Sequence, residues 1–79
     1  MNVVVAVDVI ASTDKQGNMI PLYLTYEGLE FKIDQFLGMK KEQFASIYSI
    51  AYKCFNFTLK EFTLTYDIRT STWYYLQVN

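Results

Sequence analysis

The sequence predicts an all-β domain, a small antiparallel meander or barrel of five or six strands, SH3-like or OB-like in size. A short helical turn is expected near residues 39–46. Three observations carry this expectation. The chain has 79 residues, enough for one domain and too few for two. Strand-favouring residues dominate, with six Val, six Ile, seven Thr and fourteen aromatics against four Ala. Apolar and polar residues alternate with period two over short segments separated by turn signals.

The first strand is read at residues 3–10. Val3, Val5, Val7 and Val9 share one face, and Val4, Ala6, Asp8 and Ile10 share the other. Both faces are largely apolar up to Asp8, which suits a central or covered strand. Asp14-Lys15-Gln16-Gly17-Asn18 is a turn signal. The second strand spans Met19 to Tyr26, with Ile20, Leu22, Leu24 and Tyr26 expected to point inward. Pro21 lacks an amide hydrogen and so belongs near a strand start or at an edge.

Glu27-Gly28 reads as a two-residue hairpin loop in which glycine supplies a positive φ. That loop length pairs Tyr26 with Leu29, Leu24 with Phe31, and Leu22 with Ile33. It pairs Thr25 with Glu30 and Tyr23 with Lys32 on the other face. A slip of one residue would lose all three apolar pairs.

Residues 39–55 admit two readings. The polar cluster Met39-Lys40-Lys41-Glu42-Gln43 suits a helical turn. Phe44, Ile47, Tyr48 and Ala51 follow i, i+3, i+4, i+7 spacing, which would extend it into a helix over 39–53 and an α+β fold. In the rival reading Tyr48, Ile50, Tyr52 and Cys54 alternate with Ser49, Ala51 and Lys53 as a strand, which β-branched and aromatic density favours slightly. Further on, Glu61 to Asp67 alternates cleanly, with Phe62, Leu64 and Tyr66 inward. The chain returns through Trp73-Tyr74-Tyr75-Leu76, pairing Tyr66 with Trp73 and Leu64 with Tyr75.

Several of these segments resemble a family of short, uncharacterised single-domain β proteins of Gram-positive bacteria. The residues concerned are Gly17-x-x-x-Pro21-Leu22-x-Leu24-x-Tyr26-Glu27-Gly28-x-x-Phe31-x-Ile33-Asp34, then Tyr52-x-Cys54, Leu64-x-Tyr66 and Trp73-Tyr74. The resemblance implies a small antiparallel β domain and a strand at 47–55, and it brings no activity with it. The chain departs from the family pattern between Lys41 and Ile50, where a Lys-Ala-Gly-Gly-like loop is missing. It also has Ala51 where the pattern has arginine, which puts in doubt any anion binding those features serve in relatives.

Chemistry is limited by what is missing. There is no histidine and one cysteine, Cys54. That removes disulfide frameworks, Cys/His zinc sites and histidine-based catalysis. Ser12, Ser46, Ser49 and Ser71 lie in no nucleophile motif, and the three glycines are isolated. Asp8, Asp34 and Asp67 read as solvated turn and strand-end carboxylates, and Cys54 as a buried inert thiol. The expectation is no enzyme, no metal and no small-molecule cofactor.

The net charge of −1 gives no general attraction to polyanions. No apolar run reaches membrane-span length, and the apolar start has no positive leader, so the chain reads as cytoplasmic with no membrane role. Asn56-Phe57-Thr58 matches a glycosylation sequon, read as a chance match. The remaining signal is aromatic. Tyr23, Phe55, Phe57 and Tyr74 point outward by parity, near Lys32 and Lys53. Barrel closure would bury them as core. Otherwise they form the apolar centre of a protein interface or homodimer, or a stacking platform for single-stranded nucleic acid. The functional expectation is an interaction module, protein-binding or self-associating, with nucleic-acid binding as the alternative.

Overall fold

The computed structural model describes residues 2–44 and 47–78. Seven antiparallel strands form one curled sheet, a half-barrel, and no helix occurs among the described residues. In chain order they are β1 (Asn2–Thr13), β2 (Met19–Tyr26), β3 (Leu29–Lys32), β4 (Gln35–Phe44), β5 (Ile47–Asn56), β6 (Lys60–Asp67) and β7 (Thr72–Val78). The spatial order is β3-β2-β1-β7-β6-β5-β4, so the first and last strands lie side by side in the middle.

The count is seven where five or six strands were expected, and the additional strand is β4, where the sequence suggests a helical turn. Residues 39–44 are strand, paired from Met39↔Tyr52 to Phe44↔Ile47, and residues 45–46 lie outside the described residues. The α+β alternative with a helix over 39–53 fails for the same reason. Phe44 and Ile47, three apart in sequence, are Cα partners at the end of the β4–β5 ladder, and this cross-strand pair imitates the i, i+3 spacing of a helix. Lys40, Lys41 and Glu42 are exposed because β4 is an edge strand. Gly38, with φ of +151°, sits where the β4–β5 register shifts by a residue.

Both predicted hairpin registers are present. Tyr26↔Leu29, Leu24↔Phe31, Thr25↔Glu30 and Tyr23↔Lys32 join β2 to β3, and Tyr66↔Trp73 and Leu64↔Tyr75 join β6 to β7. Glu27 and Gly28 both have positive φ, 53° and 78°, the geometry of a two-residue turn that follows strand twist.

The inward row expected along β2 is interrupted. The register with β1 passes from Ile10↔Tyr23 to Ala11↔Pro21, leaving Leu22 as an extra residue. Met19 and Pro21 face inward before this bulge, Leu24 and Tyr26 after it, and Leu22 is exposed. Pro21 thus sits at a bulge, where no ladder donor is demanded of it.

The concave face holds the core of Leu24, Tyr52, Cys54, Phe62, Leu64, Trp73 and Tyr75, with Val5, Val7 and Val9 of β1 packed against it. The rings pack in two sets, one around Tyr75 and one around Trp73. Tyr26 stacks on Tyr75 at 4.7 Å between centroids, Tyr75 meets Phe62 at 5.3 Å, and Trp73 meets Tyr66 at 4.8 Å and Tyr52 at 5.4 Å. β1 is central but covered on one face only. Val4 and Ile10 on its outer face are exposed.

The curl is fixed by Lys32-Ile33-Asp34, the link from β3 to β4. Ile33 N–H donates to the Leu22 carbonyl at 2.9 Å, and Asp34 N–H donates to the Phe55 carbonyl at 2.9 Å. Asn56 Nδ2 donates to the Lys32 carbonyl at 2.8 Å, and Phe57 N–H donates to Asp34 Oδ2 at 2.9 Å. One short segment therefore ties β2 to β5, strands next to opposite edges of the sheet.

Candidate interaction surfaces

The tie gathers most of the residues that parity pointed outward. Phe55 is partly buried on the outer face of β5. Phe57, just beyond that strand, is 69% exposed and meets Phe55 edge to face at 5.5 Å and 87°. Lys32 lies across the seam, its carbonyl held by Asn56, and Tyr23 is its cross-strand neighbour in β2. Lys53 is exposed two residues before Phe55, on the same face. Leu22, exposed at the bulge, reaches this region only through its backbone carbonyl, which accepts the Ile33 amide.

Tyr74 does not belong to it. It is partly buried between Ala6 and Thr65, and Thr65 pairs with Ala51, four residues from Phe55. Four strand residues span about 14 Å.

The patch has mixed charge. Glu61 is the cross-strand neighbour of Phe55, and the Asp34 carboxylate accepts the Phe57 amide. Nothing local in the sequence announces the bulge that exposes Leu22. Asn56 carries no sequence signal beyond the sequon. Asn56 is 6% exposed; its Nδ2 is committed to Lys32 and its Oδ1 accepts the amides of Thr58 and Leu59 at 2.8 and 2.9 Å. The nitrogen a glycan would occupy is thus a structural donor.

A second feature lies where β1 changes partners. Its ladder with β7 stops at Val7↔Trp73, and its ladder with β2 starts at Asp8↔Thr25. Beyond the β6–β7 turn a cleft of about 720 Å³ opens beside the second half of β1. Trp73, Tyr66 and Met19 line its inner side, and Asp8, Thr25 and Thr72 its outer side. Asp8 is the one formally charged residue in the lining and has no hydrogen-bond or ion-pair partner among the described residues.

The other aspartates stand apart from Asp8. Asp34 is in the tie, and Asp67 Oδ1 accepts the Arg69 and Thr70 amides at 3.0 and 3.4 Å. Asp14 Oδ1 accepts the Gln16 and Asn18 amides at 2.9 Å each, and the Asn18 amide leads in holding this carboxyl below its ordinary value. Among the described residues no group of three His, Cys, Asp or Glu is placed to hold a metal.

The interior offers one thiol and two phenols. Cys54 is fully buried, its Sγ donates to the Tyr52 carbonyl at 3.6 Å, and burial pushes the thiol up to about 12. The hydroxyls of Tyr52 and Tyr75 are buried without a partner among the described residues. Desolvation raises both phenols, with lesser contributions from Tyr66, Asp14 and Cys54 on Tyr52 and from Tyr26 on Tyr75. No helix among the described residues is long and apolar enough to cross a membrane. No protein-family model, curated protein or solved structure matches the chain.

Proposed function

We propose that the chain is a non-enzymatic interaction module that docks another protein, or a second copy of itself, through the outer seam patch. The observation carrying this reading is the tie of residues 32–34. It assembles Lys32, with its cross-strand neighbour Tyr23, and Phe55 and Phe57 from two distant parts of the sequence on a hydrogen-bonded base. A well-exposed phenylalanine held by a neighbouring ring is a low-entropy apolar anchor, and aromatic residues are enriched at the centres of interfaces. The mixed charge of the rim suits a protein partner. Cytoplasmic residence accompanies this reading, since the one cysteine is a free thiol.

The test is light scattering and cross-linking across a wide concentration range, alone and with cell lysate, on the wild type and Phe57→Ser. Association that weakens in the variant supports the reading. A strict monomer with no cross-linked partner, or association indifferent to Phe57, rejects it.

Lys32 and Lys53 beside the Phe55–Phe57 pair favour one further reading, a platform for single-stranded nucleic acid. Glu61 and Asp34 in the same patch oppose it. Anisotropy of a labelled oligonucleotide separates the two, since backbone binding weakens steeply with salt. A flat titration removes this second reading.

A further inference from the structure

β1 is a strand with two half-used edges. Its first half pairs with β7 and its second with β2, so the backbone of Asp8–Thr13 has no strand on the side away from β2 among the described residues. Six residues of strand offer about 20 Å of open edge. Such an edge is a template for an added strand, and protein surfaces seldom leave one uncovered without a bulge, a lysine or a covering element. Neither Lys nor Arg occurs in Asp8–Thr13, and the β1–β2 bulge residue, Leu22, lies on β2.

The cleft beside this edge has two unlike walls, as an extended chain requires. Side chains of an added strand would alternate between Trp73, Tyr66 and Met19 on one side and Asp8, Thr25 and Thr72 on the other. The inner wall is apolar and aromatic. The outer wall carries one carboxylate, without a partner among the described residues, and the hydroxyls of Thr25 and Thr72, with Ser71 beside them.

We propose that this cleft receives an extended segment of another protein, with alternating apolar and basic residues, which adds as a strand to Asp8–Thr13. Backbone hydrogen bonds to β1 supply register, the aromatic wall takes the apolar side chains, and Asp8 selects lysine or arginine opposite it. This surface is distinct from the seam patch, so the two readings stand or fall separately.

Trp73, the single tryptophan, lines the cleft and reports on it directly. The experiment titrates wild-type protein with a capped hexapeptide of alternating valine and lysine. Three comparators are used: a valine–glutamate hexapeptide, the valine–lysine peptide N-methylated at alternate residues, and n-butylammonium. The expected result is a saturable fluorescence change with the valine–lysine peptide, together with slowed amide exchange at alternate residues of Asp8–Thr13. The valine–glutamate and N-methylated peptides should each bind about tenfold more weakly or worse, because one loses the charge-assisted bond and the other the ladder.

Asp8→Asn, a change at an exposed position, should erase the preference for lysine over glutamate and leave folding intact. Phe57→Ser should leave peptide binding unchanged. Equal binding of the N-methylated peptide overturns strand addition, and equal binding of n-butylammonium identifies a simple cation site instead. No response to any peptide overturns the proposal outright.

Discussion

Asn56 contributes more per atom than its place in a turn suggests. Its side chain satisfies the Lys32 carbonyl and the Thr58 and Leu59 amides at once, from a buried position. Asn56→Ala leaves these groups short of partners and should cost about 2–3 kcal/mol in urea unfolding. Asn56→Asp keeps the acceptor but not the donor and should fall between. Equal stability of all three proteins would remove Asn56 from the closure.

Cys54 gives a pH prediction. Its thiol is raised from 9.0 to about 12, so between those values the unfolded chain releases a proton that the folded chain keeps. Stability is therefore fully present below about pH 9 and falls as pH rises, by up to about 1.4 kcal/mol per unit for one fully transferred proton. Tyr52 and Tyr75, raised from 10.0, act in the same direction at higher pH. Denaturant midpoints level from pH 8 to 11 would contradict this linkage. Thiol-specific reagents should react with Cys54 only as fast as the chain opens.

Among the elements, β4 shows where pattern reading misleads. Its polar centre imitates a helical turn because an edge strand flanking an open trough needs no apolar alternation. The neighbouring hairpin places apolar residues three apart for its own geometric reason. The hairpins of Glu27-Gly28 and of Tyr66 with Trp73 were readable, because turn chemistry and cross-strand pairing agreed within a few residues. Leu22 was not, because a bulge is set by the partner strand.

The polar run of β4 protects its edge. Lys40 and Lys41 are exposed there, opposite Ala51 and Ile50, and the register shift at Gly38 twists the strand. Replacing both lysines with threonine keeps β propensity and removes the charge, so monomer stability should change by less than about 0.5 kcal/mol. Aggregation on warming should rise clearly, read by light scattering. Unchanged aggregation would mean that the shift at Gly38 guards the edge alone.

At the scale of the whole molecule, the first and last strands meet in the centre, and the closure joins residues 32–34 to 55–57. Such long-range contacts leave no periodic trace in the sequence, so parity marks the outward aromatics but not their assembly at a seam. Tyr74 shares their parity without sharing their place, because parity gives a face but no position on it. Tyr75 is where the parts are joined. It pairs with Val5 of β1 and Leu64 of β6, stacks on Tyr26 of β2, and meets Phe62. Truncating such a ring costs about 3–5 kcal/mol. A chain of 79 residues has a total stability of about 4–12 kcal/mol, so Tyr75→Ala should consume a large part of it. Tyr75→Phe keeps every ring contact and removes only a hydroxyl that has no partner among the described residues, so it should be as stable as the wild type or more so. Thermal unfolding followed by near-ultraviolet circular dichroism distinguishes these outcomes. If Tyr75→Phe proved as damaging as Tyr75→Ala, the hydroxyl would have a role that ring packing cannot explain.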